Sequence, residues 1–244
     1  MIKRCAFCFL TALFLLSCGI EENYYLPQVP QASIIRISNT EATINIPSIS
    51  GFYYALFYTI YYRIYISDQN IGAEIQLSNA ELRSINSQLA TDYSIIFPNT
   101  DPVNTTANTA ANNLFRGRGY FELELDAADF RSMLTPGGGR LVIRFPTATG
   151  EYPVAIVNDS EVHLLYRSRD LITPEPDYYF RNTAELSDST KAVSNINADV
   201  QAGTSQMHAY VSMYIVAAGQ NPTGFTPIYS KPTHISIFKL PNVN

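Results

Sequence analysis

Tryptophan is absent from this chain of 244 residues, and only 15% of the residues are charged. The absence of tryptophan argues against a surface dedicated to stacking sugars, because that task uses large aromatic rings. Acidic side chains outnumber basic ones by 21 to 16, which gives a net charge of −5. Since nucleic acids are bound mainly through basic side chains, we predict no nucleic-acid partner.

Cysteine is scarce and confined to one end of the sequence. The three cysteines are Cys5, Cys8 and Cys18. The rest of the chain can therefore form no disulfide. Its stability has to come from an apolar core, which a chain of this length can bury.

Motifs for metals, phosphates and nucleophilic catalysis are missing as well. His163, His208 and His234 are far apart and show no H-x-x-x-H or H-x-x-E-H spacing. The glycines at 137–139 are followed by no Lys-Ser or Lys-Thr pair, and no G-x-S-x-G sequence occurs. We predict no cofactor and no metal. A metal site assembled only in three dimensions stays an alternative.

One acidic cluster has two interpretations. Glu122, Glu124 and Asp126 alternate with apolar residues, so a strand would place the three carboxylates on one face. Such alternation is typical of a half-exposed strand, which is the interpretation we favour. Neighbouring carboxylates also serve hydrolysis of glycosidic bonds, so a hydrolase is the alternative.

The amino-terminal residues have the pattern of a secretory signal. Lys3 and Arg4 precede an apolar run over 5–16, and the small Ser17 follows it. A helix of twelve residues is about 18 Å long, which is shorter than the ~30 Å hydrocarbon core of a bilayer. A stable transmembrane helix is therefore not expected here.

The run Leu15-Leu16-Ser17-Cys18-Gly19 resembles the lipobox of bacterial lipoproteins. The resemblance implies cleavage before Cys18, a thioether-linked diacylglycerol on its sulfur and acylation of the new amine. It predicts a signal peptide over 1–17 and a protein anchored by lipid in the cell envelope. Gly19, in place of an aspartate, favours the outer membrane. The alternative is an ordinary secreted protein in which Cys18 is incidental.

After the signal, we expect a tether over 18–33 and a folded domain over 34–244. Pro27 and Pro30 favour an extended chain in the tether, which could instead pack as an edge strand. The domain is rich in Tyr, Phe, Ile and Thr, residues that favour strands. Period-two patterns predict strands over 41–47 and 53–67. Further strands are predicted over 120–126, 140–145, 152–157, 161–167, 209–218 and 234–240, the last two forming a hairpin.

The longest strand, 53–67, should place its even-numbered residues in the core and contain a bend or bulge, because fifteen residues is long for one strand. One helix is predicted over 79–94, where Ser78 and Glu81 form a capping box. Its apolar face consists of Leu82, Ile85, Leu89, Tyr93 and Ile96. Residues 99–113 and 168–206 are predicted to be long polar loops.

Two parts of the sequence are similar to fibronectin type III or immunoglobulin-like domains. The run Tyr62-Arg63-Ile64-Tyr65-Ile66-Ser67 is similar to the third strand of that family. The segment 215–219, Gly224, the run 229–232 and then Ile235 and Ile237 are similar to its last hairpin. The resemblance implies a mainly β fold, an antiparallel β-sandwich with a large insertion over about 68–207 that contains the helix.

The odd-numbered residues of the long strand are the candidate binding face. Tyr53, Phe57, Tyr61 and Tyr65 offer rings and hydroxyls to a partner, and Arg63 lies among them. The alternative is that the insertion covers this face. We expect a membrane-anchored envelope lipoprotein that acts as a non-catalytic binding or structural module, with an envelope protein or glycan as partner. The alternative function is a lipid-anchored hydrolase of glycans or peptides that uses the strand carboxylates.

Overall fold

A computed structural model describes residues 26–67, 69, 79–96, 111–125, 136–146, 152–167, 180, 200–201, 208–222, 225 and 227–240. These residues form a mainly β structure with three helices, α1 (Asn79–Ile85), α2 (Ser87–Ile96) and α3 (Ala111–Gly117). The strands are β1 (Ile34–Arg36), β2 (Glu41–Ile46), β3 (Ala55–Ser67), β4 (Phe121–Glu122), β5 (Glu124–Leu125), β6 (Gly139–Arg144), β7 (Val154–Val157), β8 (Glu161–Tyr166), β9 (Val200–Gln201), β10 (His208–Gln220), β11 (Pro227–Tyr229) and β12 (Thr233–Lys239).

The strands form two sheets. The first has the order β1-β2-β6-β7-β8-β5, and its neighbours pair antiparallel. The second is centred on β10 and β3, which pair antiparallel along almost their whole length. Strands β11 and β12 pair with the outer edge of β10, and β4 and the parallel β9 pair with β3. The predicted hairpin of 209–218 with 234–240 is confirmed by the pairing of β10 with β12.

A large apolar core lies between the two sheets. The second sheet contributes residues such as Tyr58, Ile60 and Ile64 from β3, and the first contributes Ile44 and Ile143. Their burial removes the apolar faces of both sheets from water, which is the main stabilising term of a sandwich. The predicted fold class, an antiparallel β-sandwich with an insertion, is confirmed.

The predicted irregularity in the long strand is a bulge at Leu56. Phe57 pairs with Ala218 and Ala55 pairs with Gly219, so Leu56 has no partner in the register. The extra residue reverses the alternation of the two faces. Ala55 therefore lies in the core, whereas Leu56, an even-numbered residue predicted to face inward, is 50% exposed.

A second core covers the other face of the second sheet. Tyr61 and Tyr65 of β3 pack there with residues of all three helices, among them Leu82, Leu89 and Phe115. The described residues therefore form three layers, two sheets and a helical layer that belongs to the insertion. The predicted apolar helix face is confirmed, since Leu82, Ile85, Leu89 and Ile96 are buried and Tyr93 packs against them.

The helical layer differs from the prediction in two places. The single helix predicted over 79–94 is two helices, interrupted at Asn86. The side-chain oxygen of Asn86 accepts hydrogen bonds from the backbone N–H groups of Gln88 and Leu89, at 2.8 and 3.3 Å, and so caps α2. Helix α3 covers residues 111–117, the first three of which fall in the predicted loop 99–113. Ser78 and most of 168–206 lie outside the described residues.

The described part of the predicted tether is packed onto the domain. Leu26 and Val29 are buried in the core between the sheets. The Gln28 side chain donates to the Pro232 carbonyl at 2.8 Å, and Gln31 donates to the His234 carbonyl at 3.0 Å. The folded body therefore begins by Leu26 rather than at residue 34.

Candidate functional site

The structure does not bring the five candidate binding residues together on one exposed face. The side chains of Tyr61 and Tyr65 are 1% and 0% exposed, because the helical layer covers them. The alternative interpretation, that the insertion covers this face, holds at these two positions. Phe57 is half-buried, and Tyr53 is 76% exposed. Cys18, the predicted lipidation site, lies outside the described residues.

Arg63 forms a buried ion pair with Asp92, a residue that the sequence analysis did not identify. Asp92 belongs to α2 and is fully buried. Its Oδ2 accepts hydrogen bonds from Arg63 Nη1 at 2.7 Å and from the Tyr65 hydroxyl at 2.8 Å. Its Oδ1 accepts one from Gln88 Nε2 at 2.7 Å, and Arg118 Nη1 lies 3.6 Å away. The carboxylate thus joins β3 to α2 and to the segment that follows α3.

Two further hydroxyls extend this cluster across the second sheet. The Tyr65 and Tyr120 hydroxyl oxygens are 3.0 Å apart, and that of Tyr120 lies 3.3 Å from Ser212 Oγ. Burial raises the pKa of Tyr120 to about 12. Burial and the neighbouring Tyr120 raise the pKa of Tyr65 well above its usual value. Both phenols are therefore neutral at physiological pH and act as hydrogen-bonding groups.

The Asp92 cluster has the chemistry of a structural connection. A buried carboxylate is tolerated when opposite charge and hydrogen bonds compensate its lost hydration, as Arg63, Tyr65 and Gln88 do here. Both oxygens are occupied, and no water-exposed atom of Asp92 is left to act on a substrate. One sequence signal could have identified it: Asp92 is three residues after Leu89 and four before Ile96, on the apolar face of the helix.

A second buried polar pair joins the edges of the two sheets. Arg36 Nη2 of β1 lies 2.7 Å from His234 Nδ1 of β12, and Arg36 Nε donates to the Ile235 carbonyl at 2.8 Å. Because a guanidinium only donates, Nδ1 is the acceptor. Burial, and then the charge of Arg36, holds the pKa of His234 well below its usual value. His234 is therefore neutral at physiological pH and serves as an acceptor for Arg36.

Of the three carboxylates of the alternative hydrolase, the structure describes only the Glu122 side chain. Glu122 of β4 accepts a hydrogen bond from the Tyr61 hydroxyl at 3.2 Å. The Glu124 side chain and Asp126 lie outside the described residues. Across the ranges that the structure describes, no three His, Cys, Asp or Glu side chains are close enough to hold a metal ion.

One shallow pocket lies on the outer face of the first sheet. It has a volume of about 320 Å³ and is lined by Arg144, Pro146, Tyr152, Val154 and Leu164. The guanidinium of Arg144 forms an ion pair with Glu41, in which Arg144 Nε lies 2.7 Å from Glu41 Oε2. The lining contains no carboxylate, so this pocket offers an apolar contact surface and no acid–base pair.

Three large apolar side chains are exposed together at one end of the sandwich. Tyr53, Leu56 and Phe225 are 76%, 50% and 72% exposed. Gln220 links the segments that carry them: its backbone N–H donates to the Tyr54 carbonyl at 2.9 Å, and its side chain donates to the Phe225 carbonyl at 3.0 Å. We name these three residues the apolar tip.

In the described part of the chain, no helix is long and apolar enough to cross a membrane.

No protein-family model, curated protein or solved structure matches this chain. The resemblances to bacterial lipoproteins and to fibronectin type III domains therefore stay predictions.

Proposed function

We propose that this protein is a lipid-anchored component of the bacterial cell envelope whose folded body is a non-catalytic binding or structural module. The observation that carries the proposal is the amino-terminal sequence, with Lys3 and Arg4, the apolar run over 5–16 and then Ser17-Cys18. Cys18 bears the lipid. Gly19 after the cysteine favours the outer membrane as the destination.

The packing of residues 26–33 supports a short connection between lipid and body. Because the body begins by Leu26, only residues 18–25 separate the anchor from it. An extended chain spans at most about 3.4 Å per residue, so the distance from Cys18 to the body is at most about 27 Å. The module is held at the membrane surface.

The polar groups of the body support a non-catalytic role. The Asp92 carboxylate is fully engaged by its neighbours, and Glu122 is hydrogen-bonded to Tyr61. Neither the Glu122 carboxylate, which Tyr61 engages, nor the pocket on the first sheet, whose lining has no carboxylate, supports the alternative of a hydrolase that uses Glu122 and Glu124.

Metabolic labelling with palmitate in a host that processes lipoproteins tests the anchor. The wild type should be labelled and found with the membranes, whereas Cys18→Ala should lose both the label and the membrane association. Cys5→Ala and Cys8→Ala are matched controls, because they remove a cysteine from the segment that is cleaved, and they should keep the label. Equal labelling of the wild type and Cys18→Ala would overturn the proposal.

A further inference from the structure

The apolar tip exposes two aromatic rings to solvent, although the Tyr53 ring also contacts the Tyr54 ring edge-on, with centroids 5.1 Å apart. Phe225 has a φ of +54°, in the left-handed region that bulky side chains rarely adopt. Its backbone is held there by hydrogen bonds to Asn221 and Gln220, at 2.8 and 3.0 Å, and its side chain is 72% exposed. A costly conformation that presents a ring to solvent suggests a contact with something outside the chain.

The amino-terminal segment enters the body from the end that carries this tip. Going backward along the chain, Gln31 contacts residue 234, Val29 accepts from Thr233, and Gln28 contacts residue 232. The segment therefore runs along β12 toward β11, which pairs with Ala218–Gln220. Gln220 is the residue whose hydrogen bonds link Tyr54 to Phe225. Within the described residues, the chain therefore comes from the side of the tip as it enters the body.

We propose that the apolar tip inserts into the interfacial region of the bilayer that holds the lipid of Cys18. This inference rests on the proposed lipid anchor. The tip lies at the end from which the chain leaves toward the anchor, and the connection spans at most about 27 Å, so the bilayer surface is within its reach. Tyrosine suits the boundary between headgroups and acyl chains, since its ring is apolar and its hydroxyl is polar.

The contact is apolar rather than electrostatic. Tyr53, Leu56 and Phe225 carry no charge, and the connecting segment contains the acidic Glu21 and Glu22. Anionic headgroups would attract neither. The tip is a second attachment of the body to the bilayer, besides the lipid. It orients the body so that the tip end of the sandwich contacts the bilayer and the opposite end points away from it.

The absence of tryptophan allows a direct test, because a single introduced indole reports from one site. Tyr53→Trp and Phe225→Trp label the tip. Tyr152→Trp is the matched control: Tyr152 is 42% exposed and precedes Val154, which pairs with Arg144 beside Glu41. Glu41 begins β2, and the chain passes from the end of β2 to the tip, so Tyr152 lies at the opposite end of the sandwich.

Each full-length lipidated variant is reconstituted into phosphatidylcholine vesicles whose acyl chains are brominated or unbrominated. Tyr53→Trp and Phe225→Trp should show blue-shifted emission and lose most of their fluorescence to the brominated lipid, at low and at high salt. Tyr152→Trp should be quenched little. Circular dichroism checks that each variant is folded.

Mass spectrometry of the same preparations separates the two proposals. If Cys18 carries lipid but either tip variant is quenched no more than Tyr152→Trp, the inserted tip is refuted and the anchor stands. If Cys18 carries no lipid, the proposed function fails, and the inserted tip fails with it.

Discussion

At the scale of single residues, Asp92 is a charged residue whose side chain is fully buried. Its carboxylate has no exposure to water, and the Arg63 side chain that neutralises it is 16% exposed. Such a pair is a modest source of stability while intact, but removing one partner leaves an uncompensated charge in a poorly hydrated site. The pair therefore fixes where α2 lies on β3.

We expect Asp92→Asn to lower the free energy of unfolding by about 3 kcal/mol, because the isosteric amide removes the counter-charge of Arg63. Glu41→Gln is the control, since Arg144 and Glu41 form a partly exposed pair at 2.7 Å. That substitution should cost less than about 1 kcal/mol. Urea unfolding followed by circular dichroism measures both, and equal losses would contradict the role given to Asp92.

Gly119 and Gly117 form a second residue-scale comparison. Gly119 has a φ of +71°, and a Cβ there would lie 3.1 Å from Arg63 Cζ, whereas nothing lies within 4 Å of a Cβ at Gly117. Gly119→Ala should lower the unfolding free energy by about 1–2 kcal/mol, from the left-handed conformation and the displaced guanidinium. Gly117→Ala should be neutral or stabilising by up to about 1 kcal/mol. Thermal unfolding of the two variants measures this difference. A Gly119→Ala protein as stable as the wild type would show that position 119 does not require glycine.

At the scale of elements, the interruption at Asn86 shows how the helical layer is fitted to the sheet. Its side-chain oxygen caps α2, while its Nδ2 donates to the Ile66 carbonyl of β3 at 3.1 Å. One continuous helix would use neither interaction. The break therefore lets α1 and α2 both pack their apolar sides on the second sheet.

Asn86→Ala should lower the unfolding free energy by about 1–2 kcal/mol, because it removes the cap of α2 and leaves the Ile66 carbonyl without its side-chain donor. Ser94→Ala, on the exposed side of the same helix, should change stability by less than about 0.5 kcal/mol. Chemical denaturation of both variants is the measurement. An Asn86→Ala protein as stable as the Ser94→Ala protein would show that the break does not depend on this side chain.

At the scale of the whole molecule, the three layers bury many tyrosines. Burial raises the pKa of Tyr58 and of Tyr120 to about 12, and those of Tyr65 and Tyr214 well above the usual value. Below pH 10 these phenols are neutral in both the folded and the unfolded chain, so the free energy of unfolding is not reduced by their ionisation. Above pH 10 the unfolded chain ionises first, and the folded state loses stability until its own tyrosines ionise.

The unfolding free energy should therefore fall between pH 10 and pH 12, with about 2–3 kcal/mol of the loss due to Tyr120 alone. The Tyr120→Phe variant, which cannot ionise at this position, should lose correspondingly less over the same range. Urea unfolding at successive pH values from 9 to 12, followed by circular dichroism, measures the slope. Equal slopes in the wild type and in Tyr120→Phe would contradict the pKa given to Tyr120.

The sequence by itself determined many of the strands and the helical face, because these depend on residues that are close together in the chain. Alternation identified β2 and β3, and a helical repeat identified the buried face from Leu82 to Ile96. It also predicted that β3 is irregular, since few strands run so long. These features are local, because the spacing of apolar side chains along the backbone decides which face an element can bury.

Only the tertiary structure decided what covers each face and which polar groups meet. Both faces of β3 are rich in aromatic residues, so alternation could not tell a binding face from one buried under a helical layer. The partner of Arg63 lies 29 positions along the chain, and the bulge at Leu56 places Ala55 opposite Gly219, which is far away in the sequence. Such contacts depend on how separate elements pack, which no short stretch of sequence encodes.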